Sequence, residues 1–339
     1  MVDHERAFLE DVIAHPDDDA PRLVFSDWLE DHGDDARAEF IRLQCRLARI
    51  PEDDRDRPAL LRREGELLKQ HGRTWAEPLR GSVDEWGFRR GFIECIAVQV
   101  HSYDGFCSRL DDVFAAFPVR AVRLSCQPSA ALLLMQRREY LARLVSLDVK
   151  ELSPVEPERF MEPLLGNEAA GLRSLLMECE YSSNGWSEQL TRLAQAEHLS
   201  GLTELGLAFG LYGEPLPGNV LAAIAKSPQR TRLEKLHIPF SRFSRPVAHL
   251  LATAPTLSGM THLDLGCAEV SLAGWRQLIA GDNIARLRWL GLYAATISGV
   301  DRPFLEDHAL GQQLRTLLGK SADFDTSDTF PRWSGQRWS

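Results

Sequence analysis

A chain of 339 residues that is 44% hydrophobic can bury a large core, and its net charge of −10 excludes nucleic-acid binding through a general basic field. Six cysteines with no C-x-x-C pairing are too dilute for a disulfide framework and read as reduced thiols. The start Met1-Val2-Asp3-His4-Glu5-Arg6 is charged, with no long apolar stretch behind it and no apolar run of roughly 18 residues along the chain, so the expected location is cytoplasmic.

The acidity sits in front: through Phe92 there are 22 acids against 15 bases, a net of −7. Asp3 is a candidate N-cap for a helix from His4 to His15, which Pro16 stops. A second helix starts at Pro21, carries Leu23, Val24, Trp28 and Leu29, and ends at Gly33. A third covers Ala36–Ile50 and a fourth Ala59–His71, giving a small all-α domain over residues 1–85. The aromatic and basic stretch Trp86-Gly87-Phe88-Arg89-Arg90-Gly91-Phe92 closes it and is expected to pack onto the first repeat through Trp86, Phe88 and Phe92.

Four blocks of this front segment resemble the bacterial repeat-companion domain: Glu5-Arg6-Ala7-Phe8-Leu9, the run from His15-Pro16-Asp17-Asp18-Asp19-Ala20-Pro21-Arg22 through Asp27-Trp28-Leu29-Glu30, Gly33-Asp34, and Arg37-Ala38-Glu39-Phe40-Ile41-Arg42-Leu43-Gln44. Arg90-Gly91-Phe92 resembles the junction from such domains into leucine-rich repeats. The resemblance implies an architecture and carries no catalytic residue with it. Asp17, Asp18, Asp19, Asp34 and Asp35 lack the spacing of a calcium loop and read as helix-start acids. His15, His32, Cys45 and His71 match no zinc spacing, so neither a metal nor a cofactor is expected.

From Ile93 a three-point apolar pattern, L-x-x-L-x-L, occurs eight times. Its middle anchors are Ile96, Val122, Leu147, Leu175, Leu205, Leu236, Leu263 and Leu290, spaced by 25 to 31 residues. That pattern and period resemble leucine-rich repeats, one short strand and a helical return per unit. The fold class expected is α/β, a leucine-rich-repeat solenoid of about eight parallel strands over residues 86–318 behind the all-α domain. Returns are read as helices at Ser129–Leu141, Ser187–Ala196, Gly218–Lys226, Pro246–Thr253 and Leu272–Ile279, lengths similar to those of the ribonuclease-inhibitor-like class. Asp307–Leu318 fits a terminal cap, and residues 319–339 read as a disordered tail or one that docks on the array.

Strand alternation puts the residues around each middle anchor on the open face and continues inward to the residue two past the third anchor. That last column reads Val100, Cys126, Glu151, Cys179, Phe209, Phe240, Cys267 and Ala294, so three cysteines become stack residues. No phosphate-loop, nucleophile-elbow or zincin motif is present. The chain is expected to be a noncatalytic scaffold that binds a protein partner on the concave face of the array. The alternative is a regulatory or effector module, ubiquitin-ligase-like or an adaptor to a separate enzyme, acting through the helical front domain. The face residues expected to bind are Lys235, His237, His262, Asp264, Trp289 and Tyr293, where aromatic and ionisable groups meet on the last three repeats.

Overall fold

A computed structural model describes residues 2–100, 106–126, 128–152, 156–179, 185–209, 216–292, 295–297, 300–303 and 323–325. The chain divides into two compact units, with the boundary between Arg123 and Leu124.

The first unit opens with four helices, α1 (Val2–Ala14), α2 (Ala20–Asp31), α3 (Asp35–Arg49) and α4 (Arg57–Trp75). Prolines at the first turns of α2 and α4 fit there because the first helical N–H groups have no partner in the helix. Asp34 caps α3 by accepting from the Arg37 amide at 3.1 Å. After α4 come β1 (Glu85–Arg89), β2 (Phe92–Val100), α5 (Phe106–Ala116) and β3 (Ala121–Cys126). The stretch expected to close the helical domain is therefore a hairpin strand, antiparallel to β2. Its turn is Arg90-Gly91, with φ of 46° and 89°. Only glycine fits at 91, because a Cβ there would lie 2.5 Å from Ile41 Cγ1 in α3.

This hairpin is held to the helices by an apolar cluster and by a buried ionic one. Phe92 joins Val12, Phe25, Leu29, Ala38, Ile41 and Cys45 in one core, stacked on Phe25 at 5.7 Å. Phe88 packs edge-on against Phe40 at 5.2 Å, while Trp86 is half-buried. Arg22, fully buried, donates to Glu94 on β2 at 2.7 Å and to the Pro16 carbonyl at 3.0 Å. Burial pulls the Arg22 guanidinium down and pushes the Glu94 carboxyl up from their ordinary values, the mark of a pair whose desolvation outweighs its attraction. Asp19 pairs with Arg49 at 2.8 Å and Arg90 at 3.4 Å; Asp17 pairs with Arg120 at 2.6 Å. Gln44 Oε1 accepts the Gly91 amide at 2.6 Å. Asp17 and Asp19, which could suggest a cation site, are thus engaged by arginines, and these contacts carry the compact unit past residue 85 to Arg123.

The second unit repeats strand and helix. In chain order it contains α6 (Pro128–Gln136), α7 (Arg138–Leu141), β4 (Ser146–Lys150), α8 (Pro157–Leu164), β5 (Ser174–Cys179), α9 (Trp186–Gln195), β6 (Glu204–Phe209), α10 (Gly218–Lys226), β7 (Lys235–His237), β8 (Arg242–Phe243), α11 (Arg245–Thr253), β9 (His262–Asp264), β10 (Glu269–Val270), α12 (Leu272–Ile279), α13 (Asp282–Ala285), β11 (Trp289–Gly291), β12 (Thr296–Ile297), β13 (Val300–Pro303) and β14 (Asp323–Asp325). Strands β4, β5, β6, β7, β9, β11 and β14 form a parallel sheet in that order. The register aligns Leu147, Leu175, Leu205, Leu236, Leu263 and Leu290 as one column, none more than 2% exposed. Helices run from α9 to α12 where the apolar periodicity puts them, each burying one face.

Several helix ends in this stack are closed by a polar side chain from the following repeat. His198 reaches the Leu164 carbonyl at 3.0 Å, Thr256 donates to Ala225 at 2.5 Å, and Asn283 donates to Leu251 and Ala254 at 3.1 and 3.0 Å. Arg230, fully buried, donates to the carbonyls of Leu193, Ala194 and Ala196 at the end of α9 and of Leu199 in the 3-10 turn that follows. Helix C-termini leave carbonyls without helical partners, and these side chains satisfy them from outside.

One expected column divides. Cys179 and Phe209 do continue the inward alternation, as buried last residues of β5 and β6. Glu151, Phe240 and Cys267 do not: their φ values are 59°, 57° and 54°, so the chain turns there in the left-handed region. The turns at Phe240 and Cys267 lead after β7 and β9 into a second small sheet, ordered β13-β12-β10-β8, in which β8, β10 and β12 are parallel. The cap expected at 307–318 lies outside the described residues. Of the tail, Asp323–Asp325 pairs as β14 beside β11; the remainder of 319–339 lies outside the described residues.

Candidate functional site

The open face of β5 to β11 gathers ionisable groups because every rung puts its first and third residues there. At its centre is Glu204, first residue of β6. Its Oε2 accepts the Ser174 hydroxyl at 2.8 Å from β5, while Oε1 lies 3.2 Å from His237 Nε2 and 3.8 Å from Lys235 Nζ on β7. His237 Nδ1 in turn stands 3.8 Å from Asp264 Oδ2 on β9, and Asp264 Oδ1 accepts the Gly266 amide at 2.9 Å. An imidazole is therefore set between two carboxylates on the rungs either side of it.

Electrostatics follow from that placement. Burial alone would raise Glu204, but the hydrogen bond and charge of His237, with Lys235 and Ser174, hold it down at about 2. Burial opposes the charged form of His237, and the two carboxylates overcome it, so the imidazole titrates above its ordinary 6.5. His262 is shifted the other way, by burial and by the charges of Lys235 and His237.

Beside this chain of charges lies an aromatic platform. Trp289, first residue of β11, stacks on His262 with centroids 6.2 Å apart and planes at 27°, and its ring is 6.5 Å from His237. The indole lies back over Gly291: a Cβ at 291 would fall 2.5 Å from Trp289 Cη2 and 2.7 Å from Asp264 Oδ1. A glycine at that position is what lets the ring lie along the sheet. His262 is fixed by Thr261, whose hydroxyl is 2.8 Å from Nδ1.

The structure thus brings together five of the six residues to which the sequence points: Lys235, His237, His262, Asp264 and Trp289. Tyr293 lies outside the described residues. Asp264, only 2% exposed, is less open than a face residue should be, because the Trp289 ring and the His237 imidazole lie beside it. Glu204 and Ser174 belong to the same cluster; strand alternation puts both on the open face, but the expected binding set includes neither. The signal for Glu204 is its place on the open face one rung before Lys235, where Coulomb attraction across a ladder favours opposite charges.

Among the described residues, no group of three His, Cys, Asp or Glu side chains is set to hold a metal ion, and no helix is long and apolar enough to cross a membrane. The zinc-like set is dispersed: His15 pairs with Asp11, His32 stacks on Trp28 at 4.1 Å, His71 stacks on Trp75 at 5.3 Å, and Cys45 is buried with its thiol pushed up to about 11.

Fold and site together define an α/β repeat-like protein with a mostly parallel sheet, helices between successive strands, and a helical domain in front. No family model matches the chain, and no curated protein matches it. Among solved structures, the crystal structure of a protein from Bacteroides fragilis is similar at 15% identity and a TM-score of 0.48, over 79% of this chain and 85% of that one. A likeness that distant assigns no activity.

Proposed function

We propose that this protein is a noncatalytic interaction scaffold, a leucine-rich-repeat solenoid of the ribonuclease-inhibitor-like class behind a repeat-companion domain, and that it binds a protein partner on the open face of β6 to β11. The observation that carries this reading is the half-buried Trp289 indole, stacked on His262 and bordered by the Lys235–Glu204–His237 charges. Binding energy at protein interfaces concentrates on a few such aromatic anchors surrounded by polar groups that exclude water. Stacked repeats present one such column per rung, which suits an extended partner.

The test begins with recovery of a partner on the immobilised full-length chain, followed by affinity measurements on variants. Trp289→Ala is expected to weaken binding by roughly 30-fold, the scale of a hot-spot residue. Lys150→Ala, on β4 at the far end of the same face, is the control and should leave affinity within about threefold. A folded Trp289→Ala protein that binds like the parent removes the face as the binding site.

A further inference from the structure

An open groove of about 580 Å3 in the first unit is lined by residues of α2, α3 and α4. Its apolar part is Leu43, buried on α3, and Leu60, half-buried on α4. Only three large apolar side chains stand exposed among the described residues, and two of them belong to the helices on either side of α3. Val24, 53% exposed, is one turn from Asp27 on α2, and Leu61, 46% exposed, follows Leu60 on α4. Single exposed apolar residues are ordinary, but two that flank a groove with leucines in its lining are the makings of an interaction surface.

The rest of the lining is charged: Glu30, Asp35, Glu39, Arg42 and Arg46. Every arginine at the groove is already engaged. Arg42 donates to both Asp27 and Glu30 at 2.6 Å, Arg46 pairs with Asp56, and Arg63 on α4 pairs with Glu39 at 2.7 Å and Glu66 at 3.1 Å. Lining residues and their ion-pair partners together make six acids against three arginines, so the groove is negative.

We propose that this groove is a docking site for a basic amphipathic helix, which sets leucine-type side chains against the Leu43–Leu60 lining and lysines or arginines against the surrounding acids. A helix laid in a groove reads it through apolar residues at i, i+3, i+4 and i+7, and the three-helix lining offers such residues a place. The sign of the partner follows from the charge count. An acidic helix is repelled and finds no unengaged guanidinium, whereas a basic one meets carboxylates in excess and is steered in by them. None of the residues on β6 to β11 takes part, so this proposal and the reading of the sheet face fail independently.

The test uses the full-length chain and a fluorophore-labelled synthetic helix with leucines at i, i+3, i+4 and i+7 and lysines elsewhere. Two companion peptides replace its leucines by alanine or its lysines by glutamate. The leucine–lysine peptide is expected to bind at least about tenfold more tightly than the alanine one, and the glutamate one should not bind. Leu60→Gln and Asp35→Lys should each weaken binding about tenfold. Glu188→Lys makes the same charge change at another first-turn acid, on α9 in the second unit, and should stay within about twofold of the parent, as should Trp289→Ala. No binding of the leucine–lysine peptide, equal binding of the alanine peptide, or a loss in Glu188→Lys as large as in Asp35→Lys overturns the proposal. So does a loss in Trp289→Ala with none in Leu60→Gln, which puts the peptide on the sheet face instead. If circular dichroism shows Leu60→Gln to be unfolded, the exposed Leu61→Gln replaces it and must show the same loss.

Discussion

Protonation of His237 sets the charge balance of the sheet face, and the directions of the shifts around it fix how stability should vary with pH. Glu204 is held at about 2 in the folded chain against an ordinary 4.5, so its contribution is present above 4.5 and is lost as pH falls toward 2. His237 is raised above its ordinary 6.5, so its contribution is complete below 6.5 and is lost as pH rises through the higher folded value. Facing the imidazole are Glu204 and Asp264, with Lys235 and His262 nearby, and only the first two favour its charge. The stabilisation from this cluster is therefore greatest between about pH 4.5 and 6.5. Denaturation midpoints measured from about pH 3 to pH 9 should show an alkaline limb that flattens in His237→Gln and an acid limb that flattens in Glu204→Gln. A His237→Gln profile parallel to the parent's at every pH contradicts the assignment. The histidine column is legible in the sequence but this pairing is not, since Glu204 and His237 are 33 residues apart and only the register of β6 on β7 brings them together.

At the level of the element, Arg230 poses a question of which effect wins. Burial without a carboxylate partner brings its guanidinium down to about 10, a penalty on keeping the charge there. Against that stand four backbone carbonyls, three at the end of α9 and one in the turn after it, with the negative end of the helix dipole aimed at the same place. Charge-assisted hydrogen bonds contribute more than neutral ones, and leaving buried carbonyls short of a donor costs about 1–3 kcal/mol. Arg230→Met should therefore lower stability by roughly that amount, and Thr256→Val at the end of α10 by about 1 kcal/mol. Chemical denaturation measures both; a more stable Arg230→Met protein means that desolvation dominates. Nothing in the local sequence announces this capping, because an arginine in a Pro-Gln-Arg turn reads as a surface residue. Helices such as α10 and α12 are legible to the residue, whereas α8 has an equally regular apolar face in Phe160, Met161 and Leu164 but carries Pro157 at its start and Pro163 inside, which read as helix breakers. The hairpin strand β1 and the two-residue strands β8, β10 and β12 are too short for alternation to show.

Across the second unit, the parallel rungs from β4 to β11 have the same buried leucine but not the same neighbours, and a stack of that kind has stability set by nearest-neighbour terms. Leu205 lies between Leu175 and Leu236, each of them on a rung that keeps all three anchors. Leu290 lies between Leu263 and β14, a strand of three residues. Truncation to alanine removes the same atoms from two sites with almost the same burial, 1% and 2% exposed, so the transfer contribution is equal. The difference lies in how far the damage spreads. Large-to-small changes in a core cost about 2–5 kcal/mol, the spread reflecting how well the site can collapse. Leu205→Ala should fall toward the upper end, with hydrogen-exchange protection lost on β5 and β7 as well as β6, because neither neighbour can move without breaking a further interface. Leu290→Ala should fall toward the lower end, with the loss confined to β9 and β11, because on its outer side the rung pairs with only three residues. Equal midpoint shifts together with a uniform loss of protection over the sheet would show that the stack melts as one cooperative block, and the nearest-neighbour description of this protein would then be wrong.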